Sequence, residues 1–165
     1  MHLPGQLTKF RMSKKLLFVL VFGLVLSTQA QDFNKADAQG IIETFFDGFH
    51  KGDTTVMKSV LLKDVALNTV FTTPDGDKRL SEGTIDRLLD AIANRPAEQV
   101  WKEEILSYTV QIDGDLAHVW TPYRFYLNGD FLHCGANAFT LVQTNEGWKI
   151  QNLIDSRRKN GCLDD

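Results

Sequence analysis

Cysteine is scarce in this sequence. Cys134 and Cys162 are the two among 165 residues, and no CxxC pair exists to build a zinc ribbon or a dithiol redox centre. The four histidines form no HExxH motif and no EF-hand spacing occurs, so no metal site is expected. A glycine-rich phosphate loop is also missing, and no cofactor is implied. Acidic residues are absent before Asp32, whereas Lys9, Arg11, Lys14 and Lys15 all precede it. The apolar run from Leu16 to Leu26 reaches only eleven residues and is interrupted by Gly23. A helix that crosses a bilayer takes about 20 apolar residues, so no membrane span is expected.

What stands there instead reads as a signal peptide. Basic residues, a short apolar core and the small-residue end Ser27-Thr28-Gln29-Ala30 are its three parts. Cleavage after Ala30 leaves residues 31–165 as one secreted or periplasmic domain with Gln31 at its start. Met12-Ser13-Lys14-Lys15 has the form of a second translation start, on which reading residues 1–11 lie upstream of the chain. Residues 1–30 hold four of the 18 basic residues and none of the 21 acidic ones, so their removal takes the formal charge from −3 to −7. An acidic domain with no basic stripe lacks the electrostatic footprint for a phosphate backbone, which argues against nucleic acid as a partner.

Export would carry both cysteines into a compartment where disulfides persist. Two readings stay open. Cys134 and Cys162 form a bond, worth roughly 3.5 kcal/mol on a chain-entropy account, or one is a buried thiol and the other sits in a frayed tail.

From Ala36 to His50, Ile41, Ile42, Phe45, Phe46 and Phe49 fall on one helical face, and Gly52 is placed to end that helix. Asp53 or Thr54 can cap a short second helix carrying Met57, Val60 and Leu61. A third begins near Ser81, with Ile85, Leu88, Leu89 and Ile92 on one side, and stops at Asn94-Arg95-Pro96. Between the last two, Val65 to Thr73 alternates as a strand and turns at Pro74-Asp75-Gly76. After Pro96 the turn signals Asp113-Gly114, Asn128-Gly129 and Asn145-Glu146-Gly147 divide four antiparallel strands, near 101–112, 115–127, 130–144 and 148–157. Helices followed by a meander make an α+β layout, with three N-terminal helices wrapping a curved antiparallel sheet.

The segment Phe46-Asp47-Gly48-Phe49-His50-Lys51-Gly52-Asp53, then Met57, Leu61 and Asp64-Val65, resembles the first two helices of nuclear-transport-factor-2-like proteins. The run Asn145-Glu146-Gly147-Trp148-Lys149-Ile150 resembles their last hairpin. Within that superfamily the chain is most similar to small exported proteins labelled "putative lumazine-binding" or SnoaL-like, through Phe125-Tyr126, His133-Cys134-Gly135 and Phe139. The resemblance spans nearly all of residues 33–160. It implies a cone-like sheet with a cavity beneath the helices, and a homodimer. Superfamily enzymes such as ketosteroid isomerase use buried Asp, Tyr, Arg or Asn there, but their spacing does not transfer to this sequence residue by residue.

The turn types set registers, and registers decide which side chains share a face. Taking Asp113-Gly114 and Asn128-Gly129 as two-residue loops pairs Ile112 with Asp115, Arg124 with His133 and Trp120 with Asn137. Setting Thr144 opposite Trp148 pairs Phe139 with Leu153 and Asn137 with Asp155. One face then gathers Tyr108, Val110, Val119, Tyr123, Phe125, Cys134, Ala136 and Ile150 as core. The other gathers Trp120, Arg124, Tyr126, His133, Asn137, Phe139, Asp155 and Arg157, the mixture of rings and polar groups that suits a ligand pocket. The same mixture also suits an outer surface or a dimer interface, and a single bulge would exchange the faces over part of a strand.

Within the polar set, His133 is a candidate acid or base because its pKa lies near neutrality, or else a hydrogen-bonded structural residue. Asp155 is a candidate proton acceptor beside Asn137, or else the partner of Arg157 or Arg158 in an ion pair. Trp120, Arg124, Tyr126, Asn137, Phe139 and Arg157 are the candidate ligand-binding residues. The leading expectation is an exported domain that binds a small, partly apolar molecule. An isomerase, cyclase or hydrolase stands second, and a non-catalytic protein-interaction module third.

Overall fold

Asn34 starts the first helix. The computed structural model describes residues 32–162, so the expected leader, its cut after Ala30 and the start at Met12 lie outside the described residues. Helix α1 spans Lys35–Lys51, with the Asn34 side chain accepting the N–H groups of Ala36 and Asp37 and the Asp37 carboxylate accepting that of Asn34. This reciprocal box satisfies donors that a helix start leaves unpaired. Gly52, at φ 75°, ends the helix in the left-handed region where a side chain would be strained. Ala38, Ile42, Phe45, Phe46 and Phe49 form its buried stripe.

Asp53 caps helix α2 (Thr54–Ser59), which buries Met57. The chain then enters strand β1 (Leu61–Thr72), turns at Pro74-Asp75-Gly76 and returns as β2 (Lys78–Ser81). A hairpin therefore stands where the sequence predicts one strand. Helix α3 (Ile85–Ala93) buries Ile85, Leu89 and Ile92.

The second half is β3 (Trp101–Ile105), β4 (Thr109–Asp113), β5 (Leu116–Leu127), β6 (Asp130–Thr144) and β7 (Gly147–Arg158). The sheet order is β2-β1-β7-β6-β5-β3, with β4 also on β5. Helices and a curved sheet make the α+β fold that the sequence predicts, but the sheet is mixed, because β1 runs parallel to β7. Turn chemistry reports only on neighbours in the chain and carries no information about that distant pair. From Phe33 onward the described residues form one compact unit.

Four departures from the expected registers matter for the site. The strand predicted over 101–112 breaks at 106–108, and its halves meet β5 one residue out of step, with Ile105 opposite Tyr123 but Thr109 opposite Trp120. Next, Asp113 pairs with Leu116, so the loop is Gly114-Asp115, with Gly114 at φ 54° in its first position. That slip of two leaves the faces unchanged. Third, the Asn128-Gly129 loop forms as expected, yet Tyr126 faces Phe131 while Phe125 faces His133. Leu132 is the extra residue, and it exchanges the faces of β5 relative to β6. Last, Thr144 pairs with Gly147 rather than Trp148, but a bulge restores Phe139 opposite Leu153 and Asn137 opposite Asp155.

Cys134 and Cys162 are bonded, tying the segment after β7 to β6 across 28 residues. Of the two readings left open, the structure takes the disulfide. On the chain-entropy account this cross-link is worth about 3.5 kcal/mol. Thermal melts with and without reductant check it. The wild type should lose about 10 °C on reduction, and Cys162→Ala should melt at that lower temperature under both conditions.

Candidate functional site

The bulge at Leu132 brings His133 into line with Phe125, their rings stacked with centroids 5.0 Å apart. Both face a cavity of about 380 Å³ between the sheet and the helices. Its roof is Phe45, Phe46 and Phe49 of α1 with Leu88 of α3, and its aromatic wall continues through Trp101. Phe139 lies fully buried behind this roof, edge-on to Phe45 and Phe46 with centroids 5.8 and 6.0 Å away. Large apolar side chains thus set the shape, and interdigitated rings give them little freedom to move.

Polar groups cross the floor in a row set by the sheet register. Thr69 lies opposite Asp155, Asp155 opposite Asn137, and Asn137 opposite Thr121, so β1, β7, β6 and β5 each contribute one buried polar residue. Asp155 is 5% exposed. Its Oδ1 accepts from Thr69 Oγ1 at 2.6 Å, and its Oδ2 accepts from Arg157 Nε at 2.7 Å and Tyr123 OH at 3.1 Å. Asn137 Nδ2 donates to Glu103 Oε1 at 2.7 Å and to Thr121 Oγ1 at 3.2 Å. No buried polar side-chain atom among the described residues lacks a partner. Behind the site, His50 Nε2 accepts the Glu103 backbone N–H at 3.0 Å, fixing β3 to the end of α1.

This environment moves two groups in opposite directions. Burial raises Glu103 to about 8, and the negative charge of Asp155 adds to that, outweighing the Asn137 hydrogen bond and the Arg157 charge that favour the anion. Burial lowers His133 to about 4, with the positive charge of Arg157 acting in the same direction. At neutral pH the cavity therefore presents a carboxylic acid that can donate, a neutral imidazole and an Asp155–Arg157 ion pair. Burial also raises the Tyr123 hydroxyl, which stays protonated and donates to Asp155.

The structure brings together five of the eight residues singled out from the sequence. His133, Asn137, Asp155 and Arg157 line the cavity and Phe139 supports its roof. Trp120, Arg124 and Tyr126 point the other way, because the Leu132 bulge exchanges the faces of β5. Trp120 is 43% exposed, and Tyr126 OH donates to Glu104 at 3.3 Å while Arg124 Nη1 lies 3.9 Å from the same carboxylate. Phe125 and Tyr123, assigned to the opposite face, take their places inside. Asp155 stands opposite Asn137 in the register and is ion-paired with Arg157.

Glu103 is not among the residues singled out from the sequence, although one uninterrupted strand over 101–112 would set it opposite Arg124 on the polar face. The break at 106–108 sets it opposite Phe125 instead, and both line the cavity. Its signal was the alternation Trp101, Glu103, Ile105, an acid between two apolar residues on an inward face. His50, at the end of α1, is half-buried and bonded to β3.

A curved sheet with helices on one side and a cavity beneath them defines a nuclear-transport-factor-2-like domain. The chain belongs to the family described as "Putative lumazine-binding", whose model matches residues 34–154. Among solved structures, an NTF2-like protein of unknown function from Shewanella baltica is 17% identical at a TM-score of 0.54, covering 78% of this chain and 100% of its own. An NTF2-like superfamily protein from Salmonella enterica is 15% identical at a TM-score of 0.57, covering 79% and 95%. A third, from Streptomyces avermitilis, described as a "putative dehydratase" from the NTF2-like family, is 16% identical at a TM-score of 0.54, covering 73% and 93%. At such identities the likeness concerns the fold. Comparison with curated proteins gives no match.

The two shifted groups make stability depend on pH in opposite senses. Glu103, raised from 4.5 to about 8, contributes stability that is present below 4.5 and lost as pH rises through 8. His133, lowered from 6.5 to about 4, contributes stability present above 6.5 and lost as pH falls through 4. Between 6.5 and 8 the glutamate acts alone, so the wild type should lose stability across that window. Glu103→Gln should remove the loss, and its melting temperature should gain about 4 °C or more on the wild type over the same window.

Proposed function

We propose that this domain binds a small, flat, partly apolar molecule in the cavity beneath α1. The observation that carries the reading is the pairing of aromatic walls with a closely bonded polar floor. A cavity of about 380 Å³ lies in the range of small-molecule sites, and a few convergent polar groups in an apolar shell fix a ligand's orientation. Phe49, Trp101 and Phe125 offer ring faces for stacking, while Glu103 and Asn137 offer hydrogen bonds to one edge. A pteridine-2,4-dione, the ring system of the lumazines, has that shape and a hydrogen-bonding edge, in keeping with the family's description. We place this activity outside the cytoplasm, supported by the basic-then-apolar leader and by the Cys134–Cys162 bond.

A second reading is supported by Glu103 alone. A carboxylic acid raised to about 8 by burial is poised for proton transfer near neutrality. An acid-assisted elimination or isomerisation would use Glu103 as the proton donor and the fixed Asp155–Arg157 pair as an orienting dipole.

Native mass spectrometry of protein purified from its own host separates the two. A binder should retain one molecular species, whereas a turning-over site should retain two related by the mass of one water or by isomerisation. Leu88→Trp, which fills the cavity from α3, should abolish retention and also the saturable binding of lumazine measured by titration calorimetry, with a melting temperature within about 3 °C of the wild type. Undiminished binding in that variant would remove the cavity from the account.

A further inference from the structure

Positive charge gathers at the cavity mouth. Leu132, His133 and Arg157 line the cavity and also a second, wider groove of about 820 Å³, which runs between the β1–β2 hairpin and the segment after β7. Arg158 and Lys159 also line it, and no carboxylate does among the described residues. Three cations therefore stand together on a domain whose residues 31–165 carry a formal charge of −7. Such a local reversal of sign concentrates anions at one place on a surface that otherwise repels them.

Arg157 links the two spaces. Its Nε is held by Asp155, and its side chain is 47% exposed. Among the described residues no hydrogen bond reaches either of its η nitrogens, and the side chain lines the groove, so the fork has donors to offer there. Arg158 is positioned by the segment after β7. Arg158 Nε donates to Gly161 O at 3.1 Å, and the Cys134–Cys162 bond closes that short turn onto β6. Groups held in advance lose less freedom on binding than groups on a loose tail, which is how a disulfide at the rim serves affinity.

We propose that the ligand is an amphiphilic anion, its flat ring in the aromatic cavity and its carboxylate or phosphate in the groove, held by Arg157, Arg158 and Lys159. This rests on the reading of the cavity as a small-molecule site and adds the chemical class of what it takes. A neutral ring would leave the cations of the mouth unused. An anion without a ring would forgo the aromatic walls.

Three probes that share one bicyclic ring test it by titration calorimetry: 2-naphthylacetate, 2-naphthyl phosphate and the uncharged 2-naphthylacetamide. The expected result is binding of at least one anion about tenfold or more tighter than the amide at low salt, a preference that weakens as salt rises. Whichever anion leads identifies the headgroup. Arg158→Gln with Lys159→Gln should reduce the preference to about threefold or less and leave the amide unchanged, while Lys35→Gln, on the far side of α1, should leave the preference intact. If the double variant does not fold, Lys159→Gln alone should lower the preference, since no side-chain bond of Lys159 is lost. Equal binding of all three probes, or an anion preference untouched by the groove variants, overturns the anion proposal and leaves the cavity reading standing. No binding of any probe up to about 1 mM, a free energy near −4 kcal/mol, overturns both.

Discussion

A carboxylate buried in an apolar sheet face must be compensated, and this fold is arranged around that requirement. Asp155 sits toward the C-terminal end of β7 and is buried beneath the cavity's aromatic roof. An ion left there without partners would cost several kcal/mol. Its compensation comes from three directions: Thr69 on the parallel neighbour β1, Tyr123 two strands away on β5, and Arg157 on its own strand. Each depends on a register. A slip of one residue between β1 and β7 would turn Thr69 away, and a slip between β5 and β6 would withdraw Tyr123. The bulge at Leu132 is thus part of the same requirement, because it sets the inward face of β5 against the inward face of β6.

From that arrangement the electrostatic character of the cavity follows. Asp155 and Arg157 hold their charges against each other, while Glu103, one strand further along and bonded only through Asn137, lies within reach of the negative charge of Asp155 and is desolvated by the rings. Glu103 is thereby left as the cavity's carboxylic acid, while Asp155 is engaged by Thr69, Tyr123 and Arg157. His133 is held neutral on the other side of Arg157. The result is a cavity whose hydrogen-bonding groups are fixed in position, with Glu103 the group that titrates at the upper end of the neutral range.

The sequence was legible where the signal is local. The stripe of α1, its end at Gly52, the Asp53 cap, the Asn128-Gly129 turn and the facing of Asn137 with Asp155 all depend on residues near one another in the chain, and all are present in the structure. Illegible features came from single extra residues. The break at 106–108 and the bulge at Leu132 each invert an in-and-out alternation without any proline or glycine to mark them. Inversion placed Trp120, Arg124 and Tyr126 on the wrong side, while His133, Asn137, Asp155 and Arg157 do line the cavity. The parallel pairing of β1 with β7 lies beyond local chemistry altogether, since some eighty residues separate Thr69 from Asp155.

The central claim is that the cavity holds Glu103 as a neutral acid beside the Asp155–Arg157 pair. Carbon-13 NMR of the side-chain carboxyl carbons, followed through a pH titration and assigned with Glu103→Gln, reads that proton directly. The account predicts that the Glu103 signal titrates near 8. Titration near the ordinary 4.5 would contradict it and would return Glu103 to the status of a solvated surface acid.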